Sequence, residues 1–180
     1  MLDPSKLWDR EVRPFLSPLV RAQIADEPWQ IDAYFGLRAL IFAEEQGLFA
    51  SSDRDAQDLS ASPIVALSHA FGMPDEVVGV VRIYEAEPGT WFGGRLGVCA
   101  RYRRRGAVGS ALITSAVSSA HALGATRFFA QVQLQNVRYF ERHAFHPVRP
   151  LELFGRAHWL MEAALSAYPA SLSPVTSKAA

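Results

Sequence analysis

Residues 95–113 constrain this chain more than any other stretch. They run from a strand-like segment, Arg95 to Cys99, through the basic turn Arg101, Tyr102, Arg103, Arg104, Arg105 and Gly106. The turn leads into Ala107, Val108, Gly109 and Ser110, which open a helix. A strand delivered through such a turn into a helix start suits a phosphate. Gly106 and Gly109 let the backbone approach an anion closely, and the first helical amides lack intrahelical acceptors. The helix dipole adds partial positive charge at the same place. Taken alone, the same residues also describe a solvated arginine cluster ahead of an ordinary helix.

The flanking pattern narrows the fold. Leu19 to Ile24 alternates as a short strand does. Ile31, Tyr34, Phe35, Leu37, Ile41 and Phe42 recur at helical spacing and lead into Glu44, Glu45 and Gln46 ahead of Gly47. Residues 50–62 are polar and rich in Asp and Ser, which predicts a surface loop. Three strand-like runs follow, Pro63 to Ser68, Val77 to Tyr84 and Trp91 to Cys99, in the order of an antiparallel meander. Leu112, Ile113, Ala116, Val117, Ala120 and Leu123 then form one apolar helix face ending at Gly124. A strand from Arg127 to Gln133, a short helix from Asn136 to His143, and closing strands at Phe145 to Val148 and His158 to Ala163 complete the order. This predicts an α/β (α+β) sandwich with a mixed sheet.

At 180 residues the chain is expected to be one domain with its own core. Residues 1–18 read as an N-terminal extension, 19–165 as the domain, and 166–180, rich in Ala, Ser and Pro, as a flexible tail. Formal charge sums to zero, so no global field recruits nucleic acid or an anionic membrane. Neither a signal-peptide h-region nor a membrane-length apolar stretch is present, which predicts a cytoplasmic location. The single cysteine, Cys99, cannot form an internal disulfide, and no CxxC pair or His cluster suggests a metal. Asp53, Asp55 and Asp58 superficially resemble a calcium loop. The expected Gly and bidentate Glu are replaced by Asp58 and Ile64, so a solvated loop or an acidic rim attracting an amine is expected instead.

The turn and its flanks resemble the acetyl-CoA-binding motif of the GNAT N-acetyltransferases, in which a strand, an R-x-x-G-x-[GA] loop and a helix grip the pyrophosphate. Two registers fit. Arg103 to Val108 places Val108 where Gly or Ala is usual, and Arg104 to Gly109 places Ala107 at the first Gly. The upstream Leu96 to Arg103 looks like the family's fourth strand, whose exposed main chain pairs with the pantetheine arm; Ala100 replaces a common Pro. A second block, Gln131 to Phe145, is similar to the family's strand, Asn-led helix and "FYEKLGF" ending. There Phe140 stands where many members keep a proton-donating tyrosine, with Tyr139 beside it, and Ala144 replaces Gly. A third block, Leu37 to Phe49 with Phe154 to Met161, resembles the "LR..VF..EQ" helix and "PH..M" strand of a subgroup that includes the nitrogen-starvation N-acetyltransferases.

The resemblance covers residues 19–165 in blocks and implies a GNAT-like, mostly antiparallel mixed sheet flanked by helices. It implies acetyl-CoA as cosubstrate, with Val98, Ala100, Arg103, Arg104, Arg105, Gly106, Val108, Gly109, Ser110 and Asn136 around it. It further implies direct transfer of an acetyl or short acyl group to a primary amine of a small molecule, and leaves a homodimer open. Such transfer needs a neutral amine, a donor for the carbonyl oxygen and a route for the proton. Glu45, or Glu44 beside it, His158 and Tyr139 are the candidate catalytic groups. Cys99 lacks a His-Asp partner pattern, which argues against a nucleophile. The alternatives are a non-catalytic acyl-CoA-binding regulatory module, for which Phe140 speaks, and an enzyme like the acyl-homoserine-lactone synthases.

Overall fold

The computed structural model describes residues 16–178 and, at Arg104 and Arg105, the backbone alone. Residues 1–15 of the expected extension lie outside the described residues. The sheet is built from β1 (Leu19–Ile24), β2 (Ser62–Ala70), β3 (Met73–Glu87), β4 (Thr90–Val98), β5 (Arg127–Gln133), β6 (Phe145–Leu153), β7 (Arg156–Ala163) and β8 (Val175–Lys178). The helices are α1 (Pro28–Arg38), α2 (Ala107–Ala122) and α3 (Val137–Glu141). Strand order is β6-β7-β5-β4-β3-β2-β1-β8, and every neighbouring pair is antiparallel except β4 and β5. This is the mixed sheet that the order of elements predicts, in the mostly antiparallel arrangement that the resemblance implies. Among the described residues no helix is long and apolar enough to cross a membrane.

Each face of the sheet is covered by one of the two long helices. On one side α2 buries Val108, Leu112, Ile113, Ala116 and Val117 against Val78, Val81, Phe128 and Met161. On the other, Tyr34 of α1 packs over Val65, Leu67, Val77 and Val80. α1 does not run unbroken to Glu45, as its periodicity predicts. It loosens into a π-helical segment over Ala39–Glu45, a local widening that is frequent at functional sites.

The single parallel pair organises the rest of the molecule. β4 and β5 pair only from Thr90 opposite Arg127 to Gly93 opposite Ala130, then separate. A bulge explains the parting. Gly97 faces Val80 and Gly94 faces Arg82, so Arg95 and Leu96 share one position across from Val81, and Arg95 takes a left-handed conformation at φ 55°. The extra residue sharpens the local twist and turns the end of β4 away from β5.

The expected flexible tail is corrected, and two connections take specific forms. Phe71 and Gly72 alone join β2 to β3, both at positive φ, as a two-residue hairpin loop requires. The segment after Tyr168 does not simply fray, because β8 adds to the free edge of β1 and Tyr168 is buried. Asn136 precedes α3 without donating or accepting a side-chain capping bond.

Ala144 carries a small, testable strain. It follows α3 at φ 55°, where a non-Gly residue is disfavoured. Ala144→Gly is expected to raise stability by about 0.5–1 kcal/mol, because relief of strain exceeds the added chain entropy. Thermal unfolding should rise by a few degrees.

Candidate functional site

The basic turn folds as a 3-10 helix over Ala100–Arg105, and Gly106, at φ 62°, hands the chain to α2. The first intrahelical bond runs from the Ser110 amide to the Gly106 carbonyl, 3.0 Å. The amides of Ala107, Val108 and Gly109 precede it and point out of the helix start. Side-chain direction separates the two loop registers. Val108 is fully buried in the core, whereas a Cβ on Gly109 would lie 2.7 Å from the Tyr139 hydroxyl. The position that must stay small is therefore Gly109, with Ala107 at the first Gly of the motif.

A trough of about 510 Å³ lies beside this turn and the free end of β4, lined by Gly106, Gly109, Tyr139, Gln133, Asn136 and Phe140 among others. The Tyr139 hydroxyl donates to the Gly106 carbonyl at 3.2 Å, and burial pushes that phenol above its usual pKa. His143 Nε2 meets the Ser110 hydroxyl at 2.8 Å, which ties the helix start to α3. Arg103 Nε donates to the Val98 carbonyl at 2.7 Å, and its Nη2 donates to the Glu45 carboxylate. The Glu45 carboxylate thus faces the arginine turn.

Where β4 and β5 part, the trough meets a second cavity of about 190 Å³, and Gln46, Leu96, Gln133, Asn136 and Phe140 line both. This cavity reaches through the gap in the sheet. Its α2 side is aliphatic and aromatic, with Ile113, Ala116 and Phe128; its other side carries Phe49, Tyr84, Phe92, Arg95, Phe154 and His158. His158 is buried, and its Nδ1 lies 2.8 Å from the Arg156 carbonyl. A carbonyl only accepts, so Nδ1 carries a proton, and Nε2, which accepts whenever the ring holds that proton alone, has no hydrogen-bond partner among the described residues.

An ion-pair network fastens the loop above the cavity. Arg38 is fully buried and uses all five of its N–H donors, on Asp53, Tyr34, Asp58 and the Asp53 carbonyl. Arg82 grips Asp55 at 2.6 and 2.7 Å and Asp58 at 2.8 Å, and Arg95 meets Asp53 and Asp55 at 3.0 and 3.1 Å. Burial works to raise the Asp58 carboxyl, but hydrogen bonds from Arg38, the Asp55 amide and Arg82 outweigh it and hold the group well below the carboxylate range. The hydrogen bond from Arg82 likewise lowers Asp55. This corrects the expected solvated loop. Asp53 is 1% exposed, and all three aspartates are committed to arginines rather than offered to an amine.

The geometry converges with the comparisons. The model of the acetyltransferase (GNAT) family matches residues 27–145. The chain belongs to the GNAT acetyltransferase family. No curated protein matches its sequence. Among solved structures it is similar to a proposed N-acetyltransferase from Lactobacillus plantarum (23% identity, TM-score 0.70, covering 80% of this chain and 97% of that one). It is also similar to an acyl-CoA N-acyltransferase from Pseudomonas aeruginosa (20%, 0.65, 81% and 98%). A third likeness is to BjaI, a CoA-dependent acyl-homoserine lactone synthase solved with SAM and isopentyl-CoA (20%, 0.59, 73% and 74%).

Within this GNAT chain the structure brings Val98, Arg103, Gly106, Gly109, Tyr139 and Asn136 to one trough, and His158 to the adjoining cavity. Ala100 begins the turn, while Val108 turns its side chain into the core. Phe140 is buried between trough and cavity and packs edge-on to Phe145 at 5.1 Å. Cys99 is a half-buried free thiol. Among the described residues no group of three or more His, Cys, Asp or Glu is placed to hold a metal. Sequence reasoning missed Arg38, Arg82, Arg95 and Gln46. The available signal for Arg38 was its spacing, four residues after Tyr34 and four before Phe42, on the buried stripe of the helix.

Proposed function

We propose that the protein transfers an acetyl or other short acyl group from acyl-CoA to the primary amine of a small molecule by direct attack. The observation that carries this reading is the parting of β4 from β5, which joins a trough beside a basic helix start to a second cavity. The CoA phosphates meet the amides of Ala107, Val108 and Gly109 with the neighbouring arginines, and the pantetheine arm pairs with the free end of β4 near Val98. Arg103 leaves the Val98 carbonyl as this pairing forms, and Glu45 holds the released guanidinium beside the trough. The thioester then lies at the junction lined by Leu96, Gln133 and Phe140, where unpaired β4 amides are the donors for its carbonyl oxygen. His158 Nε2 takes the proton from the attacking amine. No metal and no covalent enzyme intermediate enter this scheme.

Titration calorimetry with acetyl-CoA tests it. Gly109→Glu and Arg103→Glu are each expected to weaken binding about tenfold or more, since each sets a carboxylate against the phosphates. Unchanged affinity in both overturns the placement.

A binder without catalysis is the second reading, favoured by Phe140, which cannot protonate a departing thiolate. CoA release in the presence of an amine panel separates the two. S-adenosylmethionine belongs in that panel, because it tests the reaction class of BjaI on this chain.

A further inference from the structure

We infer that the amine acceptor is an apolar amino acid, whose carboxylate is held by Arg95 and whose side chain sits between Phe49, Tyr84, Phe92 and Phe154. The inference rests on the acyltransferase reading and specifies its second substrate.

Three observations lead to it. First, no Asp or Glu lines the cavity among the described residues, while eight aromatic rings do, four of them, Phe49, Tyr84, Phe92 and Phe154, on the side that carries Arg95. Phe49 meets Phe154 edge-on at 5.0 Å, and Tyr84 stacks on Phe92 at 5.8 Å. A polyamine or other polycation would find no counter-charge on such walls, and an apolar body would find ordinary van der Waals partners. Second, Arg95 stands in the wall with donors to spare. Its Nε and Nη2 are spent on Asp53 and Asp55, whereas Nη1 has no acceptor among the described residues. The buried Arg82 Nε beside it is also without a partner. Burial, and the Arg82 guanidinium close by, push the Arg95 pKa down, as expected of a cation incompletely compensated by its neighbours. Third, Arg95 is placed there at the expense of backbone strain. Its left-handed conformation in the β4 bulge sets the guanidinium against Asp53, Asp55 and the Phe49 ring, 4.7 Å from the guanidinium carbon.

The arrangement also serves the chemistry. A carboxylate fixed at Arg95 leaves the amine of the amino acid without a protein anion to hold it as ammonium, so the neutral form is favoured. Its nitrogen attacks the thioester carbon, the C–N bond forms as the C–S bond breaks, and the proton passes to His158 Nε2. CoA leaves as thiolate and is protonated by solvent. The product is an N-acyl amino acid.

Steady-state rates with acetyl-CoA and three acceptors, phenylalanine, phenethylamine and spermidine, test this. Phenylalanine is expected to exceed phenethylamine in kcat/KM by about ten- to hundredfold, the worth of a charge-assisted contact. Arg95→Met should bring the two to parity, Arg95→Lys should restore part of the preference, and both should keep wild-type acetyl-CoA affinity by calorimetry. Phenethylamine or spermidine matching phenylalanine on the wild-type enzyme overturns the inference while leaving the acyltransferase reading in place. Acetyl-CoA binding with no acetylation of any of the three overturns both.

Discussion

Arg38→Met is expected to lower the unfolding free energy by about 3–5 kcal/mol, the cost of leaving a buried charge without its partner. Arg38 is fully buried and satisfies Asp53 and Asp58 at 2.8 and 2.6 Å. Methionine fills much of the same volume, so the loss reports the stranded carboxylates and the Tyr34 hydroxyl rather than a void. Its pH dependence follows from the carboxyl shifts. Asp55 and Asp58 are held below their ordinary value in the folded protein. The stability they contribute is therefore complete above the unfolded carboxyl range near pH 4, and is lost only as pH falls below it. In Arg38→Met, burial of Asp58 acts with less opposition, so protonation relieves the variant. The deficit should be largest at neutral pH and shrink toward pH 4, as measured by urea unfolding at each pH. Arg38→Met/Asp58→Asn should cost less than the two single changes added together. A deficit under 1 kcal/mol at neutral pH would mean that the network holds nothing together.

That network marks the limit of what could be read from the residues. The turn from Arg101 to Ser110 is legible because its anion-binding character is local: glycines, arginines and a helix start lie within ten positions. β5 is legible for the same reason, since the aromatic and β-branched run over Arg127–Gln133 carries its own boundaries. The cavity is not legible, because it arises where the β4 bulge parts two strands, and a bulge depends on the register with β3. The aspartates of residues 53–58 look solvated in sequence because their partners lie at Arg38, Arg82 and Arg95, with no periodic relation to them. β8 is polar and four residues long, and its only described partner is at the other end of the chain. Glu45 illustrates the same point at the site. Its place at the helix end suggests the acceptor side, while the fold sets its carboxylate on Arg103.

His158→Gln is expected to lower kcat by about a hundredfold or more with an alkyl amine acceptor, within the range of positioned general bases. The imidazole is buried on the cavity wall, with Nδ1 fixed on the Arg156 carbonyl and Nε2 left as acceptor. Glutamine keeps a polar side chain of similar reach but cannot take a proton at neutral pH. A structural role and a catalytic one predict different patterns. If His158 only packs, its loss should lower thermal stability and affect all acceptors alike. If it accepts the amine proton, kcat should fall while the KM for acetyl-CoA stays unchanged. The loss should also be smaller for an aromatic amine, which is already neutral at pH 7 and loses its proton readily once it attacks. Tyr139→Phe supplies the contrast, because its hydroxyl bonds the Gly106 carbonyl at the phosphate turn. It should weaken CoA binding several-fold, the worth of one neutral hydrogen bond, and leave kcat near wild type. A thousand-fold loss of kcat in Tyr139→Phe, with His158→Gln near wild type, would exchange the two roles and make Tyr139 the group that handles the proton.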